Sequence, residues 1–271
     1  MNVSVLILTL DESKNIVGCL DSVSFSNDVV ILDSGSSDNT VDIATAAGAK
    51  VIVRPFDNYA AQRNYGLAYD FKNDWVLMLD ADECIPGEFV EELTQVTEQE
   101  GNPVTLYRMR RKDMFMGRWL KRSSGYPTWF GRLFRKGEVR VEREINEEYY
   151  TDGEVGLLEG HLIHYPFNKG ITYWFERHNR YSSMEAKKLL NERMEQVEWG
   201  NFLSKDPMLK RKAFKAFAYR MPFRPALTFC YLYFVKFGFL DGKAGFHFSL
   251  MRSVYEYMIS LKMREQKCNE N

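Results

Sequence analysis

Residues 75–83 decide the fold of this chain, and they read Trp75-Val76-Leu77-Met78-Leu79-Asp80-Ala81-Asp82-Glu83. The five apolar residues predict a strand that is buried on both faces, and acidic residues follow where it ends. Because side chains alternate along extended backbone, we expect the Asp80 and Asp82 carboxylates on the same side of the strand end. Such a pair suits Mg²⁺ or Mn²⁺ together with substrate phosphates. The structural alternative is that Asp80 caps the next turn while Asp82 and Glu83 are solvated.

The sequence before this stretch alternates between strands and helices. Apolar runs predict three further strands, at residues 3–8, 29–32 and 51–53. Apolar residues at helical spacing follow each run, and Asp38 is the expected N-cap of the second helix. Short alternating elements predict an α/β fold with a mostly parallel sheet covered on both faces. Because such sheets bind ligands where their strands end, we expect the site at loops 9–15, 33–38 and 80–83.

The loop after the second strand is made of small and polar residues. It reads Asp33-Ser34-Gly35-Ser36-Ser37-Asp38-Asn39-Thr40. Small residues allow a tight turn into a helix, so this backbone can approach a nucleotide. The loop lacks the GxGxxG pattern of dinucleotide-binding proteins and follows the second strand instead of the first.

The alternation stops beyond Glu100, and the chain changes character. A basic, aromatic stretch spans 107–134, strand-like pieces lie near 139–141 and 156–158, and a helix is predicted over 173–193. We therefore expect three parts by role. They are a nucleotide-binding half at 1–100, an acceptor-binding half of the same domain at 101–170, and a helical extension at 171–271.

The extension is basic although the whole chain carries a net charge of -1. Residues 205–267 hold 13 Lys and Arg against 4 Asp and Glu, a difference of +9. With its aromatic residues, this segment suits an anionic membrane surface or a nucleic acid, and a solvated helical face is the structural alternative. The apolar run 226–235 is too short to span a bilayer, the scattered cysteines indicate no disulfide scaffold, and no signal peptide is expected. We predict a cytoplasmic protein, peripheral on the inner face of the cell membrane.

Four segments together resemble the family 2 glycosyltransferases, which have the GT-A fold. They are residues 7–12 (Ile-Leu-Thr-Leu-Asp-Glu), 32–40, Gln62-Arg63-Asn64 and 75–83. Among members of the family, the bacterial lipopolysaccharide-core glucosyltransferase-like proteins are the most similar. They share the late motif Gly238-Phe239-Leu240-Asp241-Gly242-Lys243-Ala244-Gly245.

The resemblance implies roles for individual residues around a nucleotide-sugar donor, for which UDP-sugar is a candidate. Thr9 and Glu12 would lie against the base, Asp33 near the base or ribose, and Arg63 near the donor. Asp80 would contact the ribose or metal-bound waters, and Asp82 would ligate the metal. The family often has a second acidic residue beside Asp33, where this chain has Ser34.

Inverting transfer needs a general base aimed at the acceptor hydroxyl. Glu147 is the predicted base, because related proteins carry a His-Glu pair where this chain has Asn146-Glu147. Neighbouring Glu144 and Glu148 leave the register open. Arg132 is predicted to bind the diphosphate or the acceptor, and a basic surface is the alternative. His161 and His164 are expected to pack or to contact the acceptor.

Aromatic and basic residues interleave in the acceptor half. Trp119, Tyr126 and Trp129 alternate with Arg118, Lys121 and Arg122, a pattern that suits sugar stacking and acceptor phosphates. Single-stranded nucleic acid is the competing ligand, and the acidic strand end favours carbohydrate, so we expect no nucleic-acid partner.

The sequence thus predicts a metal-dependent, inverting transferase acting on a lipid-linked or envelope glycan such as lipopolysaccharide core. The alternatives are a metal-dependent phosphotransferase or nucleotidyltransferase, and a non-catalytic peripheral membrane protein with a degenerate nucleotide site.

Overall fold

The computed structural model describes residues 2–142, 148–193 and 223–270. The chain forms two compact units. The first comprises Met1–Trp119 with Tyr126–Lys169, and the second comprises Leu120–Gly125 with Gly170–Asn271. The predicted division by role into 1–100, 101–170 and 171–271 stays a prediction.

The first half of the first unit is the predicted alternation of strands and helices. Strands β1 (Val3–Thr9), β2 (Val29–Asp33), β3 (Lys50–Val53) and β4 (Trp75–Asp80) pair in parallel in the order β3-β2-β1-β4. Helices α1 (Ile16–Ser22), α2 (Thr40–Ala46) and α3 (Tyr59–Leu67) connect them. Asn39 rather than Asp38 is the N-cap of α2, although the Asp38 carboxylate accepts a hydrogen bond from the Thr40 amide at 3.0 Å. The α/β prediction is confirmed.

Beyond β4 the chain adds further strands, most of them to the same sheet, and of these the sequence predicted only the strand-like pieces near 139–141 and 156–158. After β5 (Glu83–Cys84) and α4 (Gly87–Glu98) come β6 (Val104–Phe115), β7 (Arg118–Trp119), β8 (Trp129–Arg135) and β11 (Glu154–His164). β8 is antiparallel to both β4 and β6, whereas β11 is parallel to β6. A separate pair is formed by β9 (Arg140–Glu142) and β10 (Glu148–Tyr150). The sheet is therefore mostly parallel, with β8 reversed near its centre and the short strands β5 and β7 antiparallel to β11 and β6.

Apolar side chains on the two faces of the sheet build two core clusters. One contains Val5, Leu77 and Met109, and it is covered by residues of α1, α2 and α4. The other contains Leu6, Met78 and Leu106 and is covered from the side of α3. At Gly66 of α3, an added Cβ would lie 2.7 Å from a Leu6 methyl carbon. The absence of a side chain there lets α3 approach β1 closely.

The second unit is helical in its described parts. It contains α5 (Ile171–Arg193), α6 (Arg224–Cys230), a π-helical turn (Tyr231–Val235), a 3₁₀ turn (Gly238–Asp241) and α7 (Gly242–Glu270). Helices α5 and α7 pack through Ala186, Leu189, Ile259 and Met263. In the parts of the chain that the structure describes, no helix combines the length and apolarity needed to cross a membrane.

Candidate active site

The loops that follow β1 and β2 are joined by hydrogen bonds at the carboxyl edge of the sheet. The Thr9 hydroxyl donates to Asp33 Oδ2 at 2.8 Å, and the Gly35 and Ser36 amides donate to Asp33 Oδ1 at 2.9 and 2.7 Å. Across the gap, Ser37 N–H donates to Asp11 Oδ1 at 2.7 Å. The two predicted loops therefore form one surface that is held together by hydrogen bonds. Asp33 is 1% exposed and fixes the conformation of the second loop.

Glu12 lies on the same edge and is held by a lysine from the far end of the first unit. Lys169 Nζ is 2.6 Å from Glu12 Oε1, and Asn15 Nδ2 donates to Glu12 Oε2 at 2.8 Å. Burial raises the pKa of Glu12, and the bonds from Lys169 and Asn15 oppose that rise. Thr9, Glu12 and Asp33, three of the predicted donor residues, thus lie along one edge.

Asp80 sits between two arginines. Arg63 Nη2 lies 3.1 Å from Asp80 Oδ1, and Arg132 Nη2 lies 2.8 Å from Asp80 Oδ2. Burial works to raise the pKa of Asp80, but the charges of Arg63 and Arg132 outweigh it and hold this pKa well below its usual range. Asp80 is therefore ionised, and its two oxygens are tied to α3 and β8.

Arg132 also binds Glu83, the fully buried last acid of the stretch. Arg132 Nε and Nη2 donate to the two Glu83 oxygens at 2.9 Å each, and Arg111 Nη1 donates to Glu83 Oε1 at 3.3 Å. Bidentate pairing of this kind is strong and fixes geometry. In this structure the guanidinium of Arg132 thus positions Asp80 and Glu83, and its predicted contact with diphosphate or acceptor stays a prediction.

Asp82 meets a histidine from β11. His164 Nε2 is 3.2 Å from Asp82 Oδ2, and His164 Nδ1 is 2.7 Å from Asp113 Oδ1. Arg111 Nε donates to the same Asp113 oxygen at 3.0 Å. Burial lowers the pKa of His164, but the charge of Asp82 and the bond to Asp113 outweigh it and raise this pKa to about 9. His164 belongs to the acidic strand end, and its acidic neighbours come from distant parts of the sequence.

These contacts form one chain of alternating charge that begins at Asp80 and ends at Asp82. Its members, in order, are Asp80, Arg132, Glu83, Arg111, Asp113, His164 and Asp82. All are less than about one-third exposed, so water screens the interactions weakly. The network fixes the two aspartates of the acidic triplet relative to each other.

The predicted general base lies outside the described residues. Residues 143–147 include both Glu147 and Glu144, so the structure neither tests nor places either. Glu148 begins β10, and its carboxylate accepts a hydrogen bond from the Tyr150 hydroxyl at 2.6 Å.

Sequence reasoning did not identify Glu83, Arg111 and Asp113 as site residues. Asp113 and His164 are 51 positions apart and meet because β6 and β11 pair in the register that places them side by side. The sequence offered one indication of these site residues, namely the charged residues at 110–113, which interrupt a largely apolar run.

Two known bacterial glycosyltransferases are similar to this chain over most of its length. A lipopolysaccharide core biosynthesis glycosyltransferase, LpsC of Rhizobium meliloti, is 25% identical over 274 residues, covering 97% of this chain and 92% of its own. An uncharacterized glycosyltransferase of Rickettsia prowazekii is 29% identical over 202 residues, 70% of this chain and 68% of its own.

Among solved structures, glucosyl-3-phosphoglycerate synthase of Mycobacterium tuberculosis, in complex with Mn²⁺, uridine diphosphate and glucosyl-3-phosphoglycerate, is 24% identical with a TM-score of 0.34. The match covers 41% of this chain and 44% of that one, less than half of either.

The sequence model of the family described as Glycosyl transferase family 2 matches residues 4–155, more than half of the chain. The expected GT-A architecture, a mostly parallel sheet with helices on both faces, is the one observed. Family membership also sets aside the phosphotransferase and the non-catalytic alternatives. The chain belongs to glycosyltransferase family 2.

Proposed function

We propose that this glycosyltransferase is metal-dependent and inverting, and that it moves a sugar from a nucleotide-sugar donor to a lipid-linked or cell-envelope glycan. Lipopolysaccharide core is the acceptor class that the similarity to LpsC supports, since that similarity extends over 97% of the chain. The observation that carries the proposal is the charged network joining Asp80 to Asp82 at the carboxyl edge of the sheet.

The residues at Asp82 fit a divalent cation. Two neighbouring ligands of an ion bound at about 2.1 Å lie about 3 Å apart, and Asp82 Oδ2 and His164 Nε2 are 3.2 Å apart. Metal binding would displace the Nε2 proton of the charged His164 ring, and Asp113, 2.7 Å from Nδ1, would keep the remaining proton on that nitrogen, so that Nε2 of the resulting neutral ring could ligate the ion. A nitrogen ligand favours Mn²⁺ over Mg²⁺, because Mg²⁺ is bound mainly by oxygens.

Substrate oxygens would complete such a site. Within residues 2–142, 148–193 and 223–270, no group of three or more His, Cys, Asp and Glu side chains could hold an ion by itself. A donor diphosphate supplies the missing oxygens, and the bound ion would neutralise the charge that develops on this leaving group. Asp80 was predicted as a second metal residue, and its pairing with Arg63 and Arg132 favours a contact with metal-bound waters or ribose.

The remaining donor residues supply the surface against the nucleoside. Asp33 holds the second loop in the conformation that lets its backbone approach a ligand, and Thr9 fixes the orientation of Asp33. Glu12 presents a carboxylate at the same edge. We assign the base and ribose to this surface, and the sugar to the side of Asp80, where Arg63 from α3 reaches the strand end.

The acceptor hydroxyl needs a base on the face opposite the leaving diphosphate, and we assign that role to Glu147. The assignment rests on its place in the sequence after Arg132-Leu133-Phe134.

The test is a panel of nucleotide sugars scored by release of nucleotide diphosphate, with and without Mn²⁺, followed by determination of the product's anomeric configuration by NMR. We expect one donor class to be turned over only with metal, and its anomeric centre to be inverted in the product. Turnover that resists complete chelation of metal would contradict the metal assignment, and retained configuration would contradict the role of a single base.

We also propose that the second unit rests on an anionic membrane surface. Residues 205–222 of the predicted basic segment 205–267 lie outside the described part. Six apolar residues further along this segment are each at least 44% exposed, namely Tyr231, Phe234, Val235, Phe237, Phe239 and Leu240. Exposed Lys236 and Lys243 lie among them. Aromatic side chains beside lysines suit the interface between headgroups and acyl chains.

Sedimentation with liposomes tests this placement. Phe234→Ser/Leu240→Ser should weaken binding to anionic liposomes at least about 100-fold, because each buried apolar side chain contributes about 1.5–3 kcal/mol. The matched control is Val155→Ser/Leu157→Ser, which removes two exposed apolar side chains from β11 in the first unit. Equal loss in both variants, or no binding of the wild type, would rule out this surface.

A further inference from the structure

A group of half-buried aromatic and basic side chains lies in the acceptor half and takes no part in the charged network described above. Its members are Arg110, Lys112, Trp119, Tyr126, Trp129 and His161, and we call it the aromatic–basic cluster. Arg110 pairs in register with Trp129 of β8 on one side and with His161 of β11 on the other. Three neighbouring strands therefore contribute to one surface.

This cluster faces the same side of the sheet as Asp80. Met78 and Leu106 belong to the same core cluster, so they point to the same face. Because side chains alternate along a strand, Asp80 follows Met78 on that face, and Arg110 and Lys112 follow Leu106. The cluster therefore borders the side on which we place the donor sugar.

The aromatic rings support one another at fixed distances. The rings of Trp119 and Tyr126 meet edge to face at 4.9 Å, and the Tyr126 hydroxyl lies 2.6 Å from His161 Nε2. Arg110 lies over the Trp129 ring at 5.2 Å, and Lys112 lies over the Trp119 ring at 5.0 Å. These contacts hold the two indoles in place beside two cations.

The positive charge of the cluster is only partly neutralised. Arg110 Nη2 is 3.0 Å from Glu159 Oε2, a carboxylate that is 87% exposed. In the described parts of the chain, no carboxylate lies within ion-pair distance of Lys112, which is half-buried over Trp119. Burial lowers the pKa of His161, and the charges of Arg110 and Lys112 lower it further, so the ring is neutral at pH 7. A half-buried ammonium without an acidic partner is a binding point for an anion.

We infer that the aromatic–basic cluster binds the acceptor through an anionic substituent on its sugar, either a phosphate ester or a carboxylate. The indole rings offer apolar faces to the pyranose, and Lys112 supplies the charge that meets the anion. Arg110 and Lys112 are two residues apart on β6, about 7 Å along the strand, which is close to the length of one substituted hexose. This inference rests on the proposed function, since it assigns the acceptor to a site beside the donor.

The test is a titration of the full chain that needs no donor. Glucose 6-phosphate, glucuronic acid and uncharged methyl glucoside are added at low ionic strength, and binding is followed by quenching of tryptophan fluorescence from Trp119 and Trp129. The variants are Lys112→Ala, Lys112→Arg and the matched control Lys187→Ala, an exposed lysine of α5. Thermal unfolding of each variant checks that it is folded.

We expect at least one charged sugar to bind the wild type about tenfold or more tightly than methyl glucoside, as one charge-assisted contact provides. Lys112→Ala should remove that preference, and Lys112→Arg and Lys187→Ala should keep it. A preference for the phosphate or for the carboxylate identifies which anion the acceptor carries. Equal affinity for charged and uncharged sugars, or a preference that survives Lys112→Ala, would overturn the inference.

A second readout separates this inference from the proposed function. Metal-dependent release of nucleotide diphosphate from the donor is measured for the wild type alongside the sugar titration. If the wild type turns over no nucleotide sugar but binds charged sugars through Lys112, the proposed function fails, whereas the assignment of the cluster as a binding site for charged sugars is supported. If donor turnover is normal and the charge preference is absent, the cluster assignment fails alone.

Discussion

Replacement of Glu83 by glutamine should destabilise the first unit more than any exposed acidic substitution. The Glu83 side chain is fully buried and accepts two hydrogen bonds from Arg132, a third from Arg111 and a fourth from the Asp80 amide. Glutamine has nearly the same volume, but it carries no charge and turns an NH₂ group toward guanidinium donors. The substitution therefore leaves Arg132, which is 3% exposed, with Asp80 as its remaining acidic partner.

The expected loss in free energy of unfolding depends on the contact that Arg132 keeps with Asp80. Removing one partner of a buried ion pair costs about 3–5 kcal/mol, because the other charge stays buried without compensation. Asp80 still neutralises part of the Arg132 charge, so we expect the lower end, about 3 kcal/mol. Domains are stable by about 5–15 kcal/mol, so this loss is a large fraction of the whole.

Urea unfolding followed by tryptophan fluorescence measures this loss, since buried Trp75 lies at the start of β4 in the same core. Glu91→Gln is the matched control, an exposed glutamate of α4, and it should change the free energy of unfolding by less than about 0.5 kcal/mol. In a double-variant cycle, Arg132→Gln with Glu83→Gln should cost less than the sum of the single changes. A loss below about 1 kcal/mol for Glu83→Gln, or strict additivity, would refute the reasoning.

Three further predictions concern separate parts of the chain. Asp113→Asn should raise the Mn²⁺ concentration for half-maximal activity about 10–100-fold, with little change in the activity at saturating Mn²⁺, because Asp113 orients His164. An unchanged Mn²⁺ titration would contradict this. Glu147→Gln should lower turnover about 10²–10⁴-fold at unchanged donor affinity, and the same loss in Glu144→Gln or Glu148→Gln instead would show that the register is wrong. Asp241→Ala should cost about 2–4 kcal/mol in thermal or urea unfolding, because it strips the Arg122 and Ser123 amides of their acceptor; retained stability would show that water replaces the carboxylate.

The late motif at 238–245 has a structural explanation that the resemblance to known sequences did not provide. The motif linked the chain to those sequences, but its residues suggested no chemistry. In the structure, Asp241 is 5% exposed and accepts hydrogen bonds from the Arg122 and Ser123 amides and the Ser123 hydroxyl. An added Cβ at Gly245 would lie 2.0 Å from the Gly238 carbonyl oxygen. Close backbone packing and one buried acceptor therefore account for the motif within the second unit.

The parallel half of the sheet was predictable because its strands are buried on both faces and consist of apolar runs. Strand β6 was not, since Arg110, Arg111 and Lys112 interrupt its apolar pattern. Each of these cations lies over an aromatic ring, of Trp129, Phe130 and Trp119 respectively. Such contacts allow partial burial of charge, but they depend on strand pairing that a local pattern does not show.

The residues of the candidate site differ in the same way, since some follow from a local sequence pattern and others depend on strand pairing. Thr9, Glu12, Asp33 and Asp80 were identifiable because they end predicted strands or begin the loops that follow. The partners of the acidic triplet come from α3, β6, β8 and β11, and their contacts depend on the register of distant strands. His164 was noticed as one of two histidines, yet its place between Asp82 and Asp113 required the structure.

The rate of nucleotide diphosphate release against Mn²⁺ concentration, measured for the wild type, Asp82→Asn and Asp152→Asn, tests directly whether Asp82 ligates a metal ion that catalysis requires. Asp152 is an exposed aspartate outside the charged network and serves as the control. We expect saturable Mn²⁺ dependence for the wild type and the control. For Asp82→Asn we expect a loss of at least about 10²-fold that excess Mn²⁺ does not restore. Near-wild-type release by Asp82→Asn at saturating Mn²⁺ would contradict the assignment of Asp82 as a metal ligand.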